Sequence, residues 1–207
     1  MGLFDFVPRR ASILLIGPPR SGKNIFADQF VVDGLLNNES SIYMIANNFP
    51  EEVINRVLPL VNGKIENLRM IDCYTIHAGI SKRDEKFVFR TSGPYALNEI
   101  SIAITKALKE CNPPTRTVID SLTTLLLHNK MRELEEFLEV NIGKLKAKNS
   151  TVLFMVEEGV HTSRTISLLG SLTDATIKFD EDAITLTKTG EEQKIKYKLE
   201  KNKIIMG

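Results

Sequence analysis

Residues 11–30 read ASILLIGPPRSGKNIFADQF and join a buried strand to a helix through a short loop that contains two glycines. The apolar run ILLI at positions 13–16 predicts the strand, and the helical spacing of the apolar residues after Lys23 predicts the helix. The segment GPPRSGKN at 17–24 fits the first seven positions of the pattern GxxxxGK[ST] and places Asn24 at the eighth. The stretch therefore predicts a strand, a phosphate-binding loop and a helix in that order.

The spacing of this loop matches the chemistry of phosphate binding. Successive backbone N–H groups converge on phosphate oxygens, and the helix that follows adds the positive end of its dipole. Glycines let the backbone turn tightly and approach the phosphates closely, while Lys23 carries a charge that can reach the β- and γ-phosphates. An ordinary glycine-containing turn is the alternative, and the strand and helix on either side argue against it. The candidate nucleotide-binding residues are Gly17, Pro18, Pro19, Arg20, Ser21, Gly22, Lys23 and Asn24.

The composition is that of an ordinary globular protein. The chain has 207 residues, of which 43% are apolar and 26% are charged, and its net charge of +1 provides no strong field to attract nucleic acid or an anionic membrane. We expect one domain over residues 1–207. Cys73 and Cys111 form no CxxC motif and are expected to be reduced thiols. No apolar run approaches ~18 residues and the sequence lacks a signal-peptide pattern, so we expect no membrane span and a cytoplasmic location.

The rest of the chain alternates strand and helix patterns. Strands are predicted at 41–46, 68–72, 115–120 and 151–156. Helices are predicted after Lys23, after residue 50, at 94–110 and at 130–148. This alternation predicts an α/β fold with a mainly parallel, doubly wound sheet, and the strands without helices after residue 174 predict an antiparallel C-terminal edge. The charged stretch 77–93, which includes Arg90, is expected to be an exposed excursion.

A phosphate loop needs a carboxylate opposite it to position Mg²⁺. Asp120 ends the predicted strand TRTVID and fits this role, which is usually called Walker B. Asp72 ends a comparable strand and is the second candidate, and a structural role in capping the next segment is the alternative. Asn24 lacks the hydroxyl that normally helps to hold the metal and offers only an amide carbonyl. The candidate metal-binding residues are therefore Asp120 and, more weakly, Asn24.

Five segments together resemble the RecA/KaiC family of P-loop ATPases, in particular the single-domain KaiC-like proteins common in archaea. They are GPPRSGKN at 17–24, YMIANNFPEEVI at 43–54, TRTVIDSLTTLL at 115–126, GSLTDATIKF at 170–179 and YKLEKNK at 197–203. The resemblance covers nearly the whole chain. It implies a RecA-like P-loop NTPase fold with ATP and Mg²⁺ as ligands.

The departures from the family pattern concern catalysis. Arg20 replaces a loop glycine and would be strained by about 1–3 kcal/mol if the position needs a positive φ. Asn47 and Asn48 stand where the resemblance implies paired glutamates that activate water. An amide cannot take a proton from water, and loss of a general base typically costs ~10²–10⁴ in rate. These degenerate positions predict weak hydrolysis or none, whereas Lys23 and the loop frame favour retained nucleotide binding.

Two further pairs of residues are candidates that also have simpler explanations. Glu157 and Glu158 follow the strand TVLFMV and could activate a water, or they form the start of a solvated loop. Lys201 and Lys203 stand where the resemblance implies basic residues that reach the γ-phosphate of a neighbouring subunit. That arrangement would mean a homo-oligomeric ring or filament, while a lysine-bearing edge strand explains both residues without function.

These patterns predict an ATP-binding protein in which the nucleotide regulates assembly or the binding of a protein partner. One alternative is an active ATPase that uses Glu157 or Glu158. Another is a recombination-type DNA-binding accessory protein, which the near-neutral charge and the lack of a basic, aromatic groove pattern argue against. The last alternative is a scaffold that binds no nucleotide, in which Arg20 itself fills the phosphate site.

Overall fold

The computed structural model describes residues 2–83, 85–201 and 203–207; Asp84 of the charged stretch and Asn202 of the C-terminal segment lie outside these ranges. The strands are β1 (Ser12–Gly17), β2 (Ser40–Ile45), β3 (Leu68–Asp72), β4 (Val88–Arg90), β5 (Thr115–Asp120), β6 (Ser150–Glu157), β7 (Ala175–Phe179), β8 (Ala183–Lys188), β9 (Glu191–Glu200) and β10 (Lys203–Met206). The helices are α1 (Lys23–Leu36), α2 (Pro50–Val57), α3 (Leu97–Glu110), α4 (Leu122–His128), α5 (Met131–Ala147) and α6 (Ser163–Ser171), with a 3₁₀ helix at Leu58–Val61.

The described strands form one sheet in the order β10-β9-β8-β7-β1-β6-β5-β2-β3-β4. From β7 to β4, neighbouring strands in this order are parallel. The last three strands, β8, β9 and β10, are each antiparallel to the strand before them. The predicted mainly parallel sheet with an antiparallel C-terminal edge is therefore confirmed.

Helices cover both faces of the parallel part of the sheet. β1, β2 and β5 are buried at every position, as expected of strands that are covered on both faces. On one face α1 places Phe26 against Phe4 of the N-terminal segment and Phe179 of β7. On the other face α3, α4 and α5 supply the apolar side chains of a second core cluster. Because the end of β1 and the start of α1 are both held by these cores, the loop between them has fixed ends.

The stretch 77–93 is only in part the exposed excursion expected from its charges. β4 lies within it and pairs in parallel with β3. The side chain of Arg90 is 2% exposed, and its Nε lies 3.2 Å from the carboxylate of Asp72, so the expectation for Arg90 is wrong. The charge is tolerated inside the protein because an opposite charge is buried beside it, and that partner is distant in sequence.

Several element boundaries also differ from the predicted ones. α3 begins at Leu97, so Pro94 precedes the helix. The sequence patterns predict neither α4 nor α6. α4 has seven residues, six of them apolar or threonine, and so short a segment shows no helical period. β10 is four residues long and follows the described end of β9 too closely to stand out as a separate strand.

Candidate functional site

The predicted phosphate loop lies at the carboxyl edge of the parallel sheet, between the end of β1 and the start of α1. Gly17, the last residue of β1, is level with Glu157 of β6. Asp120, the last residue of β5, is level with Ile45 of β2. Because β6 lies between β1 and β5, the strand order brings Glu157 and Asp120 to the same edge as the loop. Ligands of open α/β sheets bind at this edge.

The two loop glycines occupy positions where a side chain does not fit. Gly22 has a φ of 93°, and a Cβ there would lie 2.8 Å from a methyl group of Leu199. A Cβ on Gly17 would lie 2.8 Å from the Cβ of Phe179 and 2.7 Å from the Oγ of Ser21. The loop backbone therefore lies directly against β7 and β9. The Ser21 hydroxyl is buried and has no hydrogen-bond partner among the described residues.

Arg20 adopts the left-handed conformation, with a φ of 63°. The condition stated for strain at this position is therefore met, at a cost of about 1–3 kcal/mol. Its side chain is exposed, and among the described residues no carboxylate forms an ion pair with it. Its guanidinium is therefore available to a bound anion.

Arg20→Gly is expected to raise the free energy of unfolding by about 1 kcal/mol, because glycine adopts a positive φ without steric cost. Urea denaturation of the ligand-free protein measures this. Asn62→Gly is the matched control: Asn62 has a φ of 51°, but asparagine tolerates this region well, so its replacement should gain less. A loss of stability in Arg20→Gly would show that the arginine side chain contributes contacts that outweigh the strain.

Lys23 begins α1 and is 4% exposed. Its Nζ lies 2.5 Å from Oε2 of Glu157 and donates a hydrogen bond to the carbonyl oxygen of Pro18 at 3.3 Å. Glu158, the next residue, instead forms an ion pair with Lys178 at 3.0 Å. Of the two glutamates that the sequence singles out, Glu157 is the one that faces the loop lysine.

Asp120 is 6% exposed, and among the described residues no group donates a hydrogen bond to its carboxylate. Burial, and then the negative charge of Asp28, raise the pKa of Asp120 to about 6. A buried carboxylate without a donor, at the edge where the phosphate loop lies, fits a hard cation that prefers oxygen ligands. Asn24 is exposed on the first turn of α1, where its carbonyl is available as a second, weaker ligand.

Asp72, the second candidate for this role, has a structural function instead. Its Oδ1 accepts hydrogen bonds from the backbone N–H groups of Tyr74 and Thr75 at 3.0 and 2.9 Å. Its Oδ2 faces Arg90. Because one oxygen of Asp72 already accepts two backbone hydrogen bonds and the other lies in an ion pair with Arg90, the geometry favours Asp120 as the candidate metal ligand.

A buried polar network that the motif analysis does not single out lies beside Asp120. Asp28 of α1 is 6% exposed, and Arg56 of α2 donates to both of its oxygens, at 2.6 and 3.3 Å. Tyr43 is fully buried, and burial together with the negative charge of Asp120 raises its pKa. The available signal is an aspartate that directly follows the apolar residues IFA at 25–27 of α1, which predicts a buried partner.

The positions of the paired glutamates implied by the resemblance carry amide side chains next to α2. Asn47 is exposed. Asn48 donates to the carboxylate of Glu52 and accepts from the backbone N–H of Phe49 at 2.9 Å. Asn48 is therefore engaged in the first turn of α2, and both positions lack a carboxylate of their own.

The C-terminal strand contacts the loop of its own chain. Tyr197 Oη lies 2.7 Å from the carbonyl oxygen of Ser21 and 3.0 Å from that of Asp180. Lys201 and Lys203 lie beyond this contact, at the end of β9 and the start of β10, and both are exposed. The alternation in KIKYKLE predicts a half-buried strand but contains no signal for its contact with the loop.

Cys73 and Cys111 are free and buried. Burial raises the pKa of Cys73 to about 12 and also raises the pKa of Cys111. Both thiols are therefore protonated near neutral pH and are poor nucleophiles.

The sequence is similar to known proteins over most of its length. A family model described as the KaiC ATPase matches residues 3–196. A UPF0273 protein of Pyrococcus furiosus is 31% identical over 127 residues, which cover 59% of this chain and 50% of that protein. A UPF0273 protein of Methanocaldococcus jannaschii is 30% identical over 131 residues, or 60% and 53% of the two chains. One from the bacterium Thermotoga maritima is 28% identical over 127 residues, or 58% and 51%.

The matched segment thus spans about half the length of these relatives. Within the described residues, no helix is both long and apolar enough to cross a bilayer. The family model, in contrast to the relatives, accounts for nearly the whole chain, from the N-terminal segment to β9. The chain therefore belongs to the RecA/KaiC-like family of P-loop ATPases.

Proposed function

We propose that this protein binds ATP or a related nucleotide together with Mg²⁺, and hydrolyses it slowly or not at all. The bound nucleotide would then act as a regulatory ligand that controls assembly or the binding of a protein partner. The observation that carries this proposal is the contrast between a nearly buried Lys23 at a loop with two obligatory glycines and the amides Asn47 and Asn48 at the catalytic positions.

The residues present suit the binding of phosphate and of a hard cation. The loop N–H groups and the N-terminus of α1 would bind phosphate oxygens, with Lys23 as the fixed positive charge. The unpartnered hydroxyl of Ser21 is a further donor within the loop. Asp120 and Asn24 would hold Mg²⁺, which neutralises phosphate charge when it is bound. We place this activity in the cytoplasm.

Slow hydrolysis follows from the chemistry of the amides. Neither Asn47 nor Asn48 can accept a proton from water at neutral pH, so the rate is expected to lack the ~10²–10⁴ contribution of a general base. A second candidate function is supported by one contact: Glu157 carries a carboxylate next to Lys23 and could serve as that base. Glu158 is less suited to this role because its carboxylate pairs with Lys178.

Self-assembly is part of this proposal. The exposed Lys201 and Lys203 lie near the strand that contacts the loop, which is compatible with a contact to nucleotide held by a neighbouring subunit. Lysine would make a weaker contact than arginine because it lacks bidentate geometry. Light scattering of the native protein and of Lys203→Glu, each with and without nucleotide, measures whether assembly depends on the nucleotide and on Lys203.

Lys23→Ala is expected to weaken the binding of Mg-ATP and Mg-ADP by about 10–100-fold, which is the usual size of a hydrogen bond to a charged group. Isothermal titration calorimetry measures both affinities. Lys146→Ala is the matched control: Lys146 is also ion-paired, with Asp174 at 2.7 Å, and Asp174 binds Ser12 at the opposite end of β1. Its loss should leave both affinities unchanged.

Turnover distinguishes the two candidate functions. Steady-state phosphate release near zero in the native protein, despite nucleotide binding, supports the regulatory proposal. Release at a rate typical of enzymes, lost in both Lys23→Ala and Glu157→Gln, would support an ATPase with Glu157 as its base. Absence of binding at millimolar nucleotide would overturn both.

A further inference from the structure

The ammonium group of Lys23 already has an anionic partner within the chain. Glu157 Oε2 lies 2.5 Å from its Nζ, and the lysine side chain is 5% exposed. In a phosphate loop of this pattern, the lysine is the group that reaches the β- and γ-phosphates. A carboxylate therefore stands beside the atom that a terminal phosphate would need to approach.

Glu157 is held in this place by the backbone. It is the last residue of β6, level with Gly17. Its N–H donates to Oγ1 of Thr123 at 2.8 Å, and the N–H of Glu158 donates to the carbonyl oxygen of Gly17 at 3.0 Å. Rotation about the side-chain torsions of Glu157 is therefore the way in which its carboxylate can move away from Lys23. The side chain of Glu157 is 28% exposed, so it is not enclosed by the protein.

The charged side chains at the loop sum to no net positive charge. Lys23 and Arg20 provide two cations, and Glu157 and Asp120 provide two carboxylates. The other charged groups nearby are already paired with each other, Asp28 with Arg56, and Lys178 with both Glu158 and Asp180. A third phosphate group adds negative charge next to a carboxylate in a partly buried site, where like charges repel strongly.

We propose that this site selects nucleoside diphosphates over triphosphates, because the Glu157 carboxylate occupies the position beside Lys23 that a γ-phosphate would require. This inference rests on the proposed nucleotide binding at the loop. A diphosphate can use the loop N–H groups, the helix N-terminus and a further N–H of the Lys23 ammonium, which has three donors, while the Lys23–Glu157 pair stays intact, whereas a triphosphate must displace Glu157. The ligand that regulates the protein is then the diphosphate.

The test is calorimetric titration of the native protein and of Glu157→Gln with ADP, ATP and a non-hydrolysable ATP analogue, each with Mg²⁺. We expect ADP to bind the native protein at least about tenfold more tightly than either triphosphate. In Glu157→Gln the affinity for the triphosphates should rise by most of this factor, and the affinity for ADP should change little. Glu158→Gln removes the same charge one residue away and should leave the ratio of affinities unchanged.

Each outcome of this test has a separate meaning. Equal affinities, or tighter binding of ATP by the native protein, would overturn the selection for diphosphate while leaving nucleotide binding intact. A preference for ADP that persists in a folded Glu157→Gln would show that Glu157 is not its cause. Failure of all three nucleotides to bind would overturn the proposed function itself. Because the native protein alone can contradict the inference, the test does not depend on how well the variant folds.

Discussion

Asp120→Asn is expected to raise the free energy of unfolding of the ligand-free protein by about 3 kcal/mol at pH 8. Burial and the neighbouring Asp28 raise the pKa of Asp120 to about 6, whereas an aspartate in an unfolded chain titrates near 3.9. The difference of about 2 units corresponds to about 3 kcal/mol, at 1.36 kcal/mol per unit. Asparagine has nearly the shape of the aspartate and carries no charge to desolvate.

The pH dependence of this gain has a definite sign. The folded state binds a proton on Asp120 more tightly than the unfolded state, so the contribution of Asp120 to stability falls as the pH rises from about 4 to about 6. Above pH 6 the penalty is complete, and below pH 4 it is absent because the carboxyl group is neutral in both states. The advantage of the variant should therefore be largest at pH 7–8 and should disappear near pH 4.

Urea denaturation at half-unit intervals between pH 4 and pH 8 measures this profile. Asp182→Asn is the matched control, because Asp182 is exposed and its replacement should change stability by less than about 0.5 kcal/mol at any pH. Equal stability of Asp120→Asn and the native protein at pH 8 would contradict the prediction. So would a gain that increases toward pH 4.

The same variant should bind nucleotide with less dependence on Mg²⁺, because the carboxylate proposed to hold the metal is lost. A residue whose charge destabilises the empty fold and whose removal weakens ligand binding has the properties expected of a functional site. This combination separates the proposed role of Asp120 from that of Asp72, whose carboxylate accepts hydrogen bonds from Tyr74 and Thr75 and forms an ion pair with Arg90. Titration of the native protein and of Asp120→Asn with nucleotide, in the presence of Mg²⁺ and of a chelator, measures this dependence on the metal.

The parts of the fold that could be predicted are those in which local pattern and tertiary structure agree. β1 and α1 are long, apolar and joined by a loop with its own glycine spacing, and β3 and β5 end at the residues predicted, Asp72 and Asp120. The antiparallel edge could be predicted because its strands lack intervening helices. β4 could not, because it has three residues and contains Arg90, whose buried partner Asp72 lies on another strand.

The candidate site, like the fold, could be predicted from the sequence only where the pattern is local. The loop residues and Asp120 follow from spacing, because each motif lies within one segment. The contacts that distinguish this site from a generic phosphate loop join residues far apart in sequence: Lys23 with Glu157, and Ser21 with Tyr197. Composition and periodicity carry no information on such pairs, so the choice between Glu157 and Glu158 required the structure.

Arg56→Met is expected to lower the free energy of unfolding by about 2–3 kcal/mol at pH 8. Arg56 forms two hydrogen bonds with Asp28, whose side chain is 8% exposed, and its own side chain is 44% exposed. Removal of one partner leaves a buried charge uncompensated, which typically costs 3–5 kcal/mol, and the partial exposure of Arg56 reduces this cost. Methionine retains the apolar stem of the side chain. Arg132→Met is the matched control, because its ion pair with Glu136 has exposures of 88% and 67% and should contribute little.

The loss in Arg56→Met should increase with pH. Burial already raises the pKa of Asp28, and Arg56 is the group that lowers it most, so without the arginine the pKa of Asp28 rises further. Arg56 also lowers the pKa of Asp120, and both carboxyl groups will therefore favour their protonated forms in the folded variant. At pH 5, where protonation is accessible, the loss should be smaller than at pH 8.

A double-mutant cycle with Asp28→Asn isolates the interaction between the two residues. Asp28→Asn alone should be close to neutral, because it removes both the desolvation cost of the carboxylate and its pairing with Arg56. In the Arg56→Met background it should restore most of the lost stability, since no buried charge remains unpaired. Additive effects of the two substitutions would show that the loss comes from packing of the arginine stem rather than from the charge on Asp28. A strong coupling energy that weakens from pH 8 to pH 5 would instead show that the ion pair between Asp28 of α1 and Arg56 of α2 accounts for the loss.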